Sequence, residues 1–466
     1  MRGCHPVTPP RPTVVLLHAL GASRRSFADV VAAWDGAFDV VAPDLPGFGE
    51  RAADTEVDLE AAVRAVVAAV RASGASRWLL IGHSMGAKIA SLVAARTLDG
   101  TLPLFGLAGV VLLAGSPPVP EPMSEERREQ MLGWIANGPL ADDDEQTFLD
   151  ANTGAPLPAA AEDRLVDDLR RMSLPAWEVW LRRGSREDVS AEVGTLDLPA
   201  LVLGGDADAD LGAAAQPDLH GTVYPRARFV SLPGAGHLLP QERPREVAVA
   251  IEGFWHDVAS LGPAVPPEQA ALIASDRVTA RVRGALARRA VADDPAYAPQ
   301  VLTPDQLATL RAVADRVVPQ GDNAIDLAAR VDARLAAGAG DGWRPTRLPD
   351  DVTAYRLALA ALAGFEDLDP DAQDDLLQAV ADGRHAPPGS ALSAEQLALW
   401  FEDARDDLTK QWVTHPATAA ALGFDGFADG GDRTGRIGFV RLGADDADPW
   451  EPPTVVGNPV ADGGKR

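Results

Sequence analysis

Gly82-His83-Ser84-Met85-Gly86 fits the pattern G-x-S-x-G, a serine held between two glycines. Such a serine does chemistry when a sharp strand-to-helix turn lifts its hydroxyl clear of the chain. The flanking glycines leave room for the strained middle residue. A neutral serine is a poor nucleophile, so it needs a base and a group that orients the base. Gly205-Asp206-Ala207-Asp208 and Pro233-Gly234-Ala235-Gly236-His237 supply an acid and a histidine, in the chain order Ser84, Asp208, His237. His237 would accept the Ser84 proton and return it to a leaving group. Asp208 would fix the imidazole tautomer and stabilise its cation. Asp206 and Asp210 are close competitors, but a strand end followed by G-x-x-D favours Asp208, leaving the other two as turn and surface residues. A tetrahedral oxyanion needs preorganised N–H donors. Met85 offers one, and the loop His18-Ala19-Leu20-Gly21 offers a second through Leu20, with His18 holding that loop.

Elements able to position these residues can be read along the chain. Short β-branched or Leu-rich runs occur at Val14–Leu17, Phe38–Ala42, Trp78–Ile81, Val110–Leu113, Leu201–Leu203 and Arg228–Leu232. Helical spacing separates some of them, at Glu56–Ala72 and Lys88–Thr97. Continuous apolar strands alternating with helices imply a mostly parallel sheet covered on both faces, an α/β fold. From about Pro117 to Leu196 the rhythm breaks, and helical patterns with Trp134, Phe148, Trp177 and Trp180 replace strands. A helical cap inserted between two strands is the simplest reading, and the tryptophans serve either as its core or as pocket wall.

After Trp255 the character changes. Gly262–Pro267 is a Pro-rich break, and Leu272–Val291 reads as an Arg-studded connector. Thr303 before Pro304 and Gln306, Asp369 before Pro370, and Ser393 before Gln396 mark helix starts. The expected organisation is residues 1–260 as one domain with its cap at 117–196, a connector at 261–301, and a mainly helical domain at 302–466. A short strand at Ile437–Leu442 and a frayed Pro/Gly-rich end complete it.

Composition narrows the function classes. A chain of 466 residues suggests two or three domains, and 46% apolar against 24% charged residues supports sizeable cores. The net charge of −26 argues against nucleic acid or an anionic membrane as partner. An Ala/Asp/Arg-rich chain with lysine only at positions 88, 410 and 465 also reads as biased composition. Cys4 is the sole cysteine, so no intrachain disulfide or cysteine-based metal site is expected. No run reaches the roughly 20 apolar residues of a membrane span. Ser23-Arg24-Arg25-Ser26-Phe27 imitates a twin-arginine motif, but Asp29, Trp34 and Asp35 interrupt the stretch that would have to be apolar, so the cytoplasm is expected. No cofactor or metal is called for.

These motifs and their order resemble the α/β-hydrolase superfamily, specifically its small capped esterases, menaquinone-pathway enzymes and carbon–carbon-bond hydrolases, over about residues 13–256. The resemblance implies an acyl-serine mechanism on a small ester, thioester or lactone. It departs at Ala19, where the family usually has glycine, which narrows the oxyanion loop. Some relatives carry a basic residue four places after the nucleophile that binds a substrate carboxylate. Here that position is Lys88, open between this role, which would favour carbon–carbon cleavage or elimination on a carboxylated substrate, and that of a solvated helix lysine.

Leu302-Thr303-Pro304-Asp305-Gln306-Leu307-Ala308-Thr309-Leu310 and Ala314-Asp315-Arg316-Val317-Val318-Pro319 resemble the opening of the gluconate 2-dehydrogenase subunit 3 family. Phe401, Leu408, Thr409, Gly426-Phe427 and Gly430-Gly431 echo its later pattern. The resemblance implies an association module with a flavin-containing oxidoreductase as candidate partner. A further alternative makes the whole chain a non-enzymatic accessory protein of such an enzyme.

Overall fold

The computed structural model describes residues 11–136, 138–339, 345–424 and 426–432. Cys4, the strand expected at Ile437–Leu442 and the Pro/Gly-rich end lie outside the described residues. Six strands form one parallel sheet: β1 (Thr13–Leu17), β2 (Asp39–Val41), β3 (Trp78–His83), β4 (Leu107–Leu113), β5 (Ala200–Gly205) and β6 (Ala227–Leu232). Their order is β2-β1-β3-β4-β5-β6. Every residue of the four central strands is buried, which explains their unbroken apolar runs. β6 lies at the edge, and Phe229 and Val230 remain partly exposed there.

Helices cover both faces. On one, α1 (Ala28–Ala33) packs with the helix following β6, and Trp34, Phe38 and Trp255 meet edge to face. On the other lie α2 (Leu59–Ser73) and α3 (Met85–Leu98). The α2 helix starts three residues later than its spacing suggests, because the Asp58 carboxylate caps it by accepting from Ala61 N. Nearly all of α3 is buried, since it is clamped between sheet, cap and connector.

The interruption after β4 is helical, as expected: α4 (Glu125–Gly133), α5 (Asp142–Asn152), α6 (Ala159–Arg171), α7 (Leu174–Val179) and α8 (Ser190–Val193). The sheet then resumes, with α9 (Gln216–His220) before β6 and α10 (Leu239–Glu242) and α11 (Pro244–Phe254) after it.

The stretch read as a connector holds two helices, α12 (Pro267–Ile273) and α13 (Ala280–Ala290). They are bound to the sheet's own layer. Arg283 is buried and donates to Gly100 O at 2.7 Å, to Val278 O at 2.7 Å and to Ile273 O at 3.1 Å. Gly284 and Gly100 allow the close approach, since a Cβ on Gly284 would sit 2.2 Å from Asp99 O. Six helices complete the described chain: α14 (Pro304–Val317), α15 (Leu327–Ala336), α16 (Asp351–Ala361), α17 (Pro370–Ala381), α18 (Ala394–Val413) and α19 (Pro416–Ala421). Thr303 and Ser393 form the capping boxes their sequences announce, and Asp369 caps α17. The first five enclose an apolar cluster of their own around Leu310, Val331 and Trp400. Ala417, Ala419 and Phe427 instead join the apolar cluster beside α3, and Asp429 accepts from Thr279 N and Oγ at 2.7 and 2.6 Å. The chain thus returns to the connector after α19.

Candidate active site

Four loops at the carboxyl edge of the sheet carry the residues singled out by sequence. β1 is flanked by β2 on one side and β3 on the other, so the loops after β1 and β3 diverge and leave a crevice between them. Leu20 follows β1, Ser84 follows β3, Asp208 follows β5 and His237 follows β6.

Ser84 has φ 52° and ψ −116°, a strained conformation for a residue with a side chain. The surroundings impose it. Ser84 N donates to Leu113 O at 2.9 Å, and Ser84 O accepts from Ser116 N at 3.1 Å. A Cβ on Gly82 would lie 2.4 Å from Gly86 O, and one on Gly86 would lie 2.4 Å from Leu17 O. Both glycines are therefore required for the turn to close and for α3 to approach β1.

The structure pairs His237 with Asp208. Nδ1 of His237 lies 2.8 Å from Asp208 Oδ2, while Asp208 Oδ1 accepts from Asp210 N at 3.0 Å and Leu211 N at 3.1 Å. Burial works to raise the Asp208 pKa, but His237 and these two N–H groups hold it below the ordinary value. For His237 burial favours the neutral ring, yet the carboxylates of Asp208, Glu121 and Asp210 raise its pKa above the ordinary value. Asp206 faces another way, accepting from Gly234 N at 2.6 Å, and Asp210 is exposed.

Leu20 and Met85 are both buried, and neither backbone N–H has an acceptor among the described residues. His18 holds the loop of Leu20: Nδ1 donates to Ala19 O at 2.9 Å and Nε2 accepts from Leu45 N at 3.0 Å. Burial keeps this ring neutral, lowering its pKa. Ala19 does not take a positive φ, whereas Gly21 does, at 75°. Alanine is therefore tolerated where the family usually has glycine.

Lys88 is not placed to meet a substrate. Its side chain is fully buried, and Nζ donates to Gly184 O at 3.0 Å, Glu187 O at 2.5 Å and Val119 O at 3.3 Å. An ammonium has three N–H groups, and all three are spent on the two ends of the cap. The role considered for it as a carboxylate binder is corrected to that of a staple, and it is no solvated lysine either. Burial lowers its pKa to about 8. Trp177 is fully buried and donates from Nε1 to Met131 O at 3.0 Å, and Trp134 stacks near Phe148 and Trp177. These two form cap core. Trp180 instead lines a small cleft with Met85, Ile89, Phe48, Leu59 and Arg183.

Sequence reasoning missed three positioning groups. Glu242 accepts from Gly236 N at 3.0 Å, Leu238 N at 3.2 Å and Gly154 N at 2.8 Å, tying the His237 loop to the cap. Asn152 O accepts from His237 N at 2.8 Å. His83 Nε2 donates to His237 O at 2.8 Å. The only signal in the chain was that Glu242 and His83 flank motif residues. Among the described residues, no group of three or more His, Cys, Asp or Glu is arranged to hold a metal, and no helix is long and apolar enough to cross a membrane.

Known proteins resemble both parts of the chain. Residues 304–427 match the Gluconate 2-dehydrogenase subunit 3 family. The Biotin biosynthesis bifunctional protein BioHC of Cellvibrio japonicus is 26% identical over 255 residues, covering 54% of this chain and 49% of that protein. The chain thus spans about half the length of that relative. A Pimeloyl-[acyl-carrier protein] methyl ester esterase of Neisseria meningitidis is 28% identical over 197 residues, 42% of this chain and 75% of the relative. Among solved structures, an esterase from Exiguobacterium antarcticum is 14% identical with a TM-score of 0.47, covering 53% of this chain and 92% of that one. Residues 14–251, just over half of the chain and the span that bears the sheet, the elbow and the His237 loop, match the Alpha/beta hydrolase family, to which this chain belongs.

Proposed function

We propose that this chain is a serine hydrolase that cleaves a small ester, thioester or lactone through an acyl-Ser84 intermediate. The observation that carries the reading is the 2.8 Å contact of Asp208 with His237 beside the strained turn of Ser84. In this mechanism the Ser84 hydroxyl attacks the acyl carbon as His237 takes its proton. The N–H groups of Leu20 and Met85 receive the oxyanion. The leaving group departs with the proton from His237, and a water then releases the acid by the same steps in reverse roles. Asp208 keeps the ring oriented and stabilises its cation. Relatives named as methyl ester esterases support ester cleavage. The carbon–carbon alternative drew on Lys88 as a carboxylate site, and that lysine's donors are occupied.

The C-terminal helices act in this reading as an association module for an oxidoreductase, with a flavin enzyme as partner, supported by their family match. The chain works in the cytoplasm, a reading supported by Arg24 and Arg25. Arg24 pairs with Glu50, and Arg25 pairs with Asp167 and Asp168 on the cap helix α6, so both take part in the folded domain. Labelling by a fluorophosphonate, with the adduct located by peptide mass spectrometry, tests the nucleophile. The adduct belongs on Ser84 and vanishes in Ser84→Ala; an adduct that persists in that variant refutes the assignment.

A further inference from the structure

Asp168 is a carboxylate on the cap that the acyl-transfer steps do not use. It lies on α6 and is 3% exposed, and its Oδ2 accepts from the Ser23 hydroxyl at 2.6 Å. Its Oδ1 accepts from Arg25 Nη1 at 3.3 Å and from Arg171 Nη2 at 3.1 Å. Ser23 is fully buried, and its Oγ in turn accepts from Arg25 N at 3.2 Å. A buried carboxylate is costly unless such donors satisfy it. An apolar side chain would fill the same place without that cost, but it would not fix the position of the loop that carries Ser23.

That loop is the one after β1. Its start is held at Ala19 O, which accepts from His18 Nδ1 at 2.9 Å and from Ala22 N at 3.2 Å. Its end is held at Ser23. Leu20 lies between the two fixed points, and its N–H has no acceptor among the described residues. Gly21, next to it, has φ 75°, and a Cβ there would lie 2.6 Å from Leu169 Cδ2 and 3.1 Å from the Trp177 ring. The cap therefore meets this loop twice, by packing at Gly21 and by the hydrogen bond at Ser23. It meets the His237 loop as well, through Asn152 O and Gly154 N.

We propose that Asp168 is a positioning residue: from the cap it fixes, through the Ser23 hydroxyl, the loop whose Leu20 N–H receives the oxyanion. The inference rests on the serine-hydrolase reading and adds to it that the cap is part of the catalytic frame as well as a cover for substrate. An oxyanion donor is effective only when it is already aimed at the place where charge develops. A loop freed at Ser23 can still bind substrate, but its N–H no longer waits in that place. The loss should therefore fall on kcat and spare KM.

The test uses the full chain with p-nitrophenyl acetate as substrate and trifluoroacetophenone as inhibitor, a ketone whose serine adduct carries an oxyanion. Ser23→Ala and Asp168→Ala should each lower kcat by about tenfold or more, with KM within about twofold of native. Affinity for the ketone should fall by about the same factor as kcat/KM. The double variant should be within about twofold of the slower single one, since both changes remove one contact. Asp168→Asn keeps an acceptor for the hydroxyl and should stay within about threefold of native. Asp167→Ala is the control, because that exposed carboxylate pairs with the same two arginines and not with Ser23. The acid limb of the pH profile should not move in any variant, since His237 is untouched. Ser23→Ala that melts lower yet keeps kcat and ketone affinity within about twofold overturns this inference and leaves the hydrolase reading standing. A shifted acid limb, or a loss confined to KM, overturns it too. No hydrolysis by the native chain, together with an unlabelled Ser84, overturns both.

Discussion

The ring of His83 donates a hydrogen bond to the main-chain oxygen of His237, 2.8 Å away. The residue preceding the nucleophile thereby holds the loop that carries the base. The same ring is fully buried, and burial lowers its pKa to about 3. It belongs to a set of buried neutral histidines that includes His220, lowered to about 4, and His415, lowered to about 3.

Those histidines make acid the weak side of this fold. In the unfolded chain each takes a proton near pH 6.5, whereas in the folded chain none does until far lower pH. Between those limits the unfolded state binds more protons, so stability is full above about pH 6.5 and falls as pH drops. The loss should be about 2 kcal/mol per histidine by about pH 5. Urea midpoints taken at about pH 7, 6 and 5 measure it. A midpoint that stays flat over that range would show that these rings protonate within the fold.

The two neighbouring acids should separate cleanly. Asp208→Asn removes the partner of His237 Nδ1 and should lower kcat by several powers of ten, as loss of the orienting carboxylate does in serine proteases. Asp206→Asn disturbs only a loop contact to Gly234 N and should cost about tenfold or less. Steady-state kinetics on one ester decides. Equal losses would remove the distinction.

The pH profile of kcat/KM should have its acid limb above the ordinary histidine value of 6.5, since Asp208 and its neighbours raise the pKa of His237. Protonated His237 cannot accept the Ser84 proton, so activity falls as pH drops through that pKa. A rate profile over about pH 5–9 shows where the limb lies. A limb below about pH 6 would mean that burial outweighs the carboxylates.

Lys88→Met should act on the cap and not on substrate charge. Three carbonyls at the cap's ends lose their donor, at a cost of roughly 1–3 kcal/mol each if they stay dry. Melting temperature should fall by several degrees. kcat/KM should drop by the same factor for anionic and neutral esters. A selective loss with the anion would return Lys88 to the substrate.

Chains ended at different points test where the hydrolase unit stops. A chain ending at 261 lacks α12 and α13, and leaves Leu98 and Gly100 carbonyls without Arg288 and Arg283. One ending at 292 keeps both helices. The longer form should melt several degrees higher and stay monomeric, measured by calorimetry and light scattering. Equal melting would place the boundary at the Pro-rich break.

Much of this molecule is written in short-range signals. Apolar runs marked the central strands, because a parallel strand buried on both faces must be apolar throughout. Thr303 with Gln306 and Ser393 with Gln396 announced their capping boxes, since both partners lie within one turn. The G-x-S-x-G string at Ser84 carried its own steric requirement, which the close approaches at Gly82 and Gly86 make explicit. What the sequence left open depends on partners far along the chain. Lys88 meets carbonyls 96 and 99 residues away, and nothing local shows that its donors will be consumed. Glu242 reaches Gly154 across 88 residues to fasten the His237 loop to the cap. The connector looked like a spacer because Arg283 is polar in sequence. Only the folded turn between α12 and α13, docked on the end of α3, brings together the Ile273, Val278 and Gly100 carbonyls that let a guanidinium be buried. Periodicity and capping are decided between neighbours, whereas the fate of a long polar side chain is decided by whichever acceptors the tertiary fold brings to it.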